Sequence, residues 1–228
     1  MKVTPSAMLC TIYARLLSFW ANQKELGLNL TVFNRFPLHP DVDFLVGDFT
    51  SILLLDIRLC EDGDLKTDAV AVHTSIMQAL EHRHYDGTNV IRELAKAAGC
   101  ENAAYMPIVF TGALFEDESI NLDESNILGK VSYVSTQTSQ VYIDNKVYTG
   151  LDGSLIIEWD YVRELFCAED IKQYFDRYIH MIYCVAEEEK PDLRAVLVPL
   201  PADMCQITEY NNTKYQHETA FLHSGVTK

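Results

Sequence analysis

Two hydrophobic periods run along this chain, and no single kind of element satisfies both. Between Asp48 and Leu59, Leu53, Leu55, Ile57 and Leu59 fall on one side while Asp56 and Arg58 fall on the other. A period of two belongs to a strand with one buried face. Further on, Ile171, Tyr174, Phe175, Tyr178, Ile179, Ile182 and Tyr183 recur at i, i+3 and i+4, the stripe of an amphipathic helix. A chain carrying both patterns buries its apolar surface by laying helices on a sheet.

The remaining segments extend this pattern. Thr4 can cap a first helix with Pro5 at its first position, and Met8, Leu9, Ile12, Tyr13, Leu16, Leu17 and Trp20 form its stripe up to Gly27. Residues 28–34 alternate as a strand, and Pro37 and Pro40 stiffen the loop over 35–42. Leu65, Ala69, Val72, Ile76, Met77 and Leu80 share one side of a helix that is broken at His82–Gly87, after which Thr88 can cap a shorter helix closed by Gly99. Strand patterns are expected at 106–113, 130–136, 139–148 and 153–160, with an acidic solvated loop at 116–126. The predicted fold is α/β, one mixed sheet with helices packed mainly on one face. Residues 1–194 read as one domain. Residues 195–228 hold no sustained period and read as a linker with little regular structure.

The formal net charge of −15 disfavours a nucleic-acid polyanion or an anionic membrane surface as partner. No apolar run reaches the roughly 20 residues of a membrane span, and Met1–Pro5 lacks an apolar signal region. Six cysteines (Cys10, Cys60, Cys100, Cys167, Cys184, Cys205) form no C-x-x-C pair, so they are expected as free thiols in a reducing, cytoplasmic setting. There the sequon matches at Asn29 and Asn211 carry no meaning. The glycine-rich phosphate cradles and the nucleophile elbow are absent from the sequence. His82 and His84 are two positions apart with no third ligand near in sequence, so no metal site is expected and the segment reads as a helix-ending turn.

Longer sequence words are more specific. Asn29–Pro40 (NLTVFNRFPLHP) followed by Val46–Ser51 (VGDFTS) resembles the signature of heterocyclization domains, the cyclizing variants of nonribosomal peptide synthetase condensation domains. Thr4-Pro5-Ser6, His82–Gly87 with Val90–Ala95, Pro107–Thr111, Thr136–Asp144, and Trp159-Asp160 before Leu165-Phe166 follow in the same order. Leu200-Pro201 to Thr213, then Leu222-His223, resembles the linker that enters an adenylation domain. The resemblance implies half of a two-lobed chloramphenicol-acetyltransferase-like fold, the C-terminal half. Neither the Asp-x-x-x-x-Asp-x-x-Ser motif of the N-terminal half nor the His-His-x-x-x-Asp-Gly motif of ordinary condensation domains is found.

The resemblance also implies a chemistry. An upstream peptidyl carrier protein presents an acyl thioester on 4'-phosphopantetheine, and a downstream carrier presents Cys, Ser or Thr. The amine forms an amide, and the side chain then closes a thiazoline or oxazoline with loss of water. No cofactor is expected to bind the chain directly. The partners implied are the missing N-terminal half, both carriers and the adjacent adenylation domain. By resemblance Thr111 and Asp144 are the catalytic pair. Asp48, Thr50 and Ser51 support them by fixing a strand start and the tunnel floor, and Gln137 and Gln140 line the acceptor channel. An ordinary amide-forming condensation subdomain and a non-catalytic carrier-docking or scaffold piece are the competing readings.

Overall fold

The structure, a computed structural model, describes residues 2–60, 64–99, 106–114, 140–150, 153–187, 191–199 and 201–213. The chain divides into two compact units, residues 1–196 and 197–228. In the first unit the described elements are α1 (Pro5–Ala21), β1 (Glu25–Phe33), β2 (Thr50–Arg58), α2 (Leu65–Glu81), α3 (Gly87–Ala98), β3 (Ile108–Ala113), β4 (Ile143–Thr149), β5 (Leu155–Tyr161) and α4 (Ala168–Glu187). The strand pattern expected at 130–136 lies outside the described residues. Among the described residues no helix is long and apolar enough to cross a membrane.

The five strands form one sheet in the order β2-β1-β3-β4-β5. Its centre is parallel, with β1 beside β3 and β3 beside β4, and its two edges are antiparallel. Leu30 pairs with Phe110, Phe110 with Asn145, and Asn145 with Trp159, so these four side chains share a face. On that face lies α1, whose Tyr13 sits 6.3 Å from the Phe110 ring, 5.6 Å from Trp159 and 5.7 Å from Tyr178 of α4. The Tyr178 hydroxyl donates to Leu9 O at 3.1 Å, tying α4 to α1. Trp20 at the end of α1 stacks on Tyr174 at 4.1 Å. Each such aromatic pair adds about 0.5–1.5 kcal/mol beyond its buried area.

Helices α1, α2 and α4 pack with the core residues of this face, where Leu53, Leu55 and Ile57 of β2 and Val72 of α2 are buried. The shorter α3 departs from that arrangement. A Cβ on Gly87, at its first turn, would sit 3.0 Å from Ile52 O and 3.1 Å from the Ile52 and Leu54 side chains. Ile52 and Leu54 point opposite to Leu53 and Leu55, so α3 begins against the other side of β2. Gly87 is what lets that helix start so close to the strand.

Local signals decide the element ends. Thr4 Oγ1 accepts from Ala7 N at 3.3 Å, as its position before Pro5 predicts. Gly27 does not end α1. Asn22 does, in the left-handed region at φ +51°, and Gly27 sits inside β1, where a Cβ would meet the Met106 side chain at 2.7 Å. The cap of α3 is Asp86, which accepts from Asn89 N at 2.9 Å, rather than Thr88. A carboxylate at that position also meets the positive end of the helix dipole.

The His82–Asp86 turn holds no group of metal ligands, nor do the other described residues. His82 Nδ1 contacts Gln78 O at 2.8 Å, and His84 stacks on Phe36 at 4.7 Å. Arg83 also lies over Phe36, 4.5 Å from its ring centre, and Arg35 lies 4.1 Å from that of Phe49. The two sequence words NRF and HRHY are therefore packed on each other. Among the described cysteines, Cys10, Cys60, Cys167, Cys184 and Cys205 are free, and burial pushes the Cys10 thiol up to about 12.

In the second unit Pro201–Tyr210 form α5, correcting the expectation of little regular structure over 195–228. Met204, Ile207 and Tyr210 recur every three residues, a period hidden by its shortness and by Pro199 and Pro201 beside it. Pro at the first turn and Asp203 just after it suit a helix start.

Arg15 of α1 and Asp68 of α2 form a buried ion pair at 2.6 Å, and Asp68 also accepts from Cys60 N at 2.8 Å. Replacing one partner strands the other charge away from water, which costs about 3–5 kcal/mol. Asp68→Ala is expected to lose that much in urea unfolding of the chain, and the double variant Arg15→Met/Asp68→Leu to recover most of it.

Candidate active site

Opposite the helix-covered face, the register assembles a row of polar side chains. Asn29 pairs with Val109 and Thr31 with Thr111 across β1 and β3. Val109 pairs with Asp144 and Thr111 with Lys146 across β3 and β4. Asp144 pairs with Asp160 across β4 and β5. Residues in register face the same way in a sheet, so Thr31, Thr111, Asp144, Lys146 and Asp160 lie on one face.

The Thr111 hydroxyl is 3.0 Å from Asp144 Oδ1 and 2.9 Å from Thr31 Oγ1, both within hydrogen-bond range. All three side chains are half-buried. Lys146 forms an ion pair with Asp160 beside them. Asn29, farther back on β1, donates from Nδ2 to Met106 O at 2.7 Å and fixes the chain entering β3. It is 6% exposed, so the sequon at this position is closed inside the fold.

Burial is the largest influence on the Asp144 carboxyl and raises its pKa, since low dielectric disfavours the charged form. The Thr111 hydrogen bond and the Lys146 charge pull the other way, the Asp160 charge adds to the rise, and the net direction is upward. The influence of Asp144 reaches through the sheet. The buried Tyr13 phenol is raised first by desolvation, then by Tyr178, and then by the Asp144 charge. A carboxyl held above its ordinary value beside a hydroxyl and an ammonium is placed to exchange a proton with a group set against it.

The other expected site residues are placed differently. Asp48 is exposed before β2 and accepts from Thr50 N at 2.8 Å. That backbone bond and the Thr50 hydroxyl hold the Asp48 carboxyl below its ordinary value. Thr50 pairs with Phe33 and so shares the face of Thr111, but two strands away and two residues along, roughly 10–12 Å by sheet geometry. Ser51 pairs with Val32 and faces the helices, on the opposite side from Asp144, with its hydroxyl buried and unpartnered among the described residues. Gln140 is exposed in the turn before β4 with φ +64°. Gln137 lies outside the described residues. The structure thus brings Thr111 and Asp144 together and adds Thr31, which sequence reasoning did not single out. Thr31 stands in the family-like word Asn29–Pro40, but nothing within that word marks it out, and what joins it to the pair is register between strands 80 positions apart in sequence.

The condensation domain family matches residues 1–208. The chain is 42% identical over 226 residues to bacitracin synthase 1 of Bacillus licheniformis, covering 99% of this chain and 4% of that protein. It is 38% identical over 162 residues to phenyloxazoline synthase MbtB of Mycobacterium tuberculosis, covering 71% of this chain and 11% of that protein. Among solved structures, the EpoB NRPS cyclization-docking bidomain from Sorangium cellulosum superposes with a TM-score of 0.70 at 30% identity, over 83% of this chain and 38% of that one. The chain therefore spans a small part of the curated relatives it matches and well under half of that bidomain. A five-stranded mixed sheet carrying helices, matched over nearly its whole length by one family, makes this chain a member of the condensation domain family of the nonribosomal peptide synthetases.

Proposed function

We propose that this chain is the C-terminal half of a heterocyclization domain, which joins a carrier-bound acyl thioester to carrier-bound Cys, Ser or Thr and then cyclodehydrates the amide to a thiazoline or oxazoline. The observation that carries the reading is the half-buried Thr111–Asp144 hydrogen bond. Similarity to a phenyloxazoline synthase and to a cyclization bidomain supports it.

Ring closure has two parts. The side-chain thiol or hydroxyl attacks the amide carbon, its proton leaves, and the amide oxygen becomes a hydroxyl. That hydroxyl then departs with a proton as water while the nitrogen gives up its proton, leaving the C=N bond. Asp144, with its pKa raised, serves as base toward the attacking group and as acid toward the departing hydroxyl. Thr111 holds the carboxyl toward the reacting atoms. Substrates arrive on 4'-phosphopantetheine arms of upstream and downstream carrier proteins. The N-terminal half completes the tunnel, and residues 195–228 lead toward an adenylation domain.

Two outcomes test this. In the intact synthetase, Asp144→Asn is expected to lower ring formation about 10²–10⁴-fold, the usual contribution of a positioned acid–base group, while amide formation continues. Intact-mass spectra of the loaded downstream carrier then show the uncyclized product, heavier by one water. Thr111→Val shifts the products the same way, and equal loss of both steps would make the pair structural. The second outcome is read on the chain alone. A carboxyl whose pKa rises on folding favours the folded state when protonated, and this advantage is lost as pH rises through the folded value. Asp144→Asn should therefore raise the melting temperature at neutral pH, with the gain shrinking as pH falls through the Asp144 titration. A variant less stable than wild type at neutral pH would mark Asp144 as a structural carboxylate.

A further inference from the structure

Thr111 Oγ1 lies within hydrogen-bond distance of two oxygens, Asp144 Oδ1 at 3.0 Å and Thr31 Oγ1 at 2.9 Å. A threonine hydroxyl has one proton to donate and two lone pairs to accept with. It cannot donate along both contacts. Facing an ionised carboxylate, which only accepts, Thr111 must spend its proton on Asp144. The contact to Thr31 then exists only if Thr31 is the donor. The three residues form a chain with one direction: Thr31 to Thr111 to Asp144.

We infer that Thr31 is a positioning residue for the Thr111–Asp144 pair: its hydroxyl donates to Thr111 Oγ1 and keeps the Thr111 proton directed at the Asp144 carboxylate. The inference rests on the catalytic reading of that pair and adds a third member to it. Without Thr31, Thr111 Oγ1 loses the donor that occupies one of its lone pairs and fixes its orientation, and the bond it makes to Asp144 loses that support. Linked hydrogen bonds also polarise one another, so the Thr31 donation strengthens the bond that Thr111 makes. When Asp144 is protonated it becomes a donor to Thr111, and the chain can run in the opposite direction, ending on Thr31 as acceptor. Thr31 therefore accommodates both states that an acid–base group passes through.

The backbone supports this role. Thr31 and Thr111 occupy paired positions on adjacent parallel strands, which keeps the two hydroxyls together without any loop between them. Among the described residues, the charged and titratable groups on the carboxyl's side of the sheet include Lys146 and Tyr148 on its own strand and Glu158 and Asp160 on β5, with Tyr13 of α1 acting through the sheet. None of them is altered by a change at Thr31, so a change in the titration of Asp144 reports on the hydroxyl chain.

The test is the titration of the Asp144 side-chain carboxyl, followed by carbon-13 NMR in the full 228-residue chain. Wild type is compared with Thr31→Val, Thr31→Ser and Thr111→Val, each first checked by an amide spectrum that overlays with wild type. Thr31→Ala replaces Thr31→Val if valine disturbs the strand. The Thr111 bond lowers the Asp144 pKa, so losing its alignment should move the midpoint up. Thr31→Val is expected to raise it, Thr111→Val to raise it at least as much, and Thr31→Ser to leave it at the wild-type position. In the intact synthetase, Thr31→Val should lower the cyclized fraction about fivefold, the worth of one ordinary hydrogen bond, and Thr31→Ser should restore it. An unmoved or lowered midpoint in Thr31→Val, with Thr111→Val still raised, overturns the inference and leaves the pair intact. A Thr31→Ser shift as large as that of Thr31→Val also overturns it, because the hydroxyl is then not what acts. If Thr111→Val leaves the midpoint unmoved, the pair itself fails and the inference with it.

Discussion

The parallel pairing of β3 with β4 is the constraint on which the candidate site rests. Side chains alternate across a sheet, so a slip of one residue would send Asp144 to the helix side and bring Asn145 out in its place. The buried face prevents that slip. Phe110, Ile143, Asn145 and Val147 are all at or below 1% exposure, and Tyr13 and Tyr178 close over them from α1 and α4. Burying a side chain of this size is worth about 1.5–3 kcal/mol, and a slipped register would forfeit several at once. The aromatic core under the sheet thus fixes the position of a carboxyl above it that it does not touch.

Residues on one strand consequently serve opposite demands. Ile143 and Val147 suit a dry interior, with the Asn145 amide buried between them beside Tyr178, and Asp144 and Lys146 suit a half-buried polar surface. Partial burial gives Asp144 its raised pKa, and the same burial makes its charge costly to the fold at neutral pH. Groups that act in proton transfer commonly carry such a cost. The Lys146–Asp160 pair moderates it. It adds a positive charge next to Asp144, while Asp160 keeps that charge from fully neutralising the carboxyl's surroundings.

Much of the frame was legible in the sequence because its signals are local. The cap at Thr4 with Pro5, the alternation through Leu53, Leu55 and Ile57, and the stripe of α4 each announce an element within one window. The failures are of two kinds. Gly27 reads as a helix stop, yet it lies inside β1 with the tip of the Met106 side chain against it, nearly 80 residues away. Thr88 and Asp86 are both cap-forming types, and only the backbone shows which one accepts from Asn89. The site divides in the same way. Thr111 and Asp144 stand in words that resemble a known family, so they could be named. Ser51 and Thr31 also stand in such words, but Ser51 faces the helices and Thr31 reaches the pair only through strand register, which a linear pattern does not show.

The most direct measurement of the central claim separates ring closure from amide formation. A pre-formed, uncyclized amide loaded on the downstream carrier bypasses condensation, and its conversion to the ring is followed in a single turnover across pH. The wild-type synthetase is expected to close the ring with a pH dependence governed by one carboxyl titrating above the ordinary aspartate value, and Asp144→Asn to slow closure and remove that dependence. Equal rates and an unchanged pH profile in Asp144→Asn would contradict the claim.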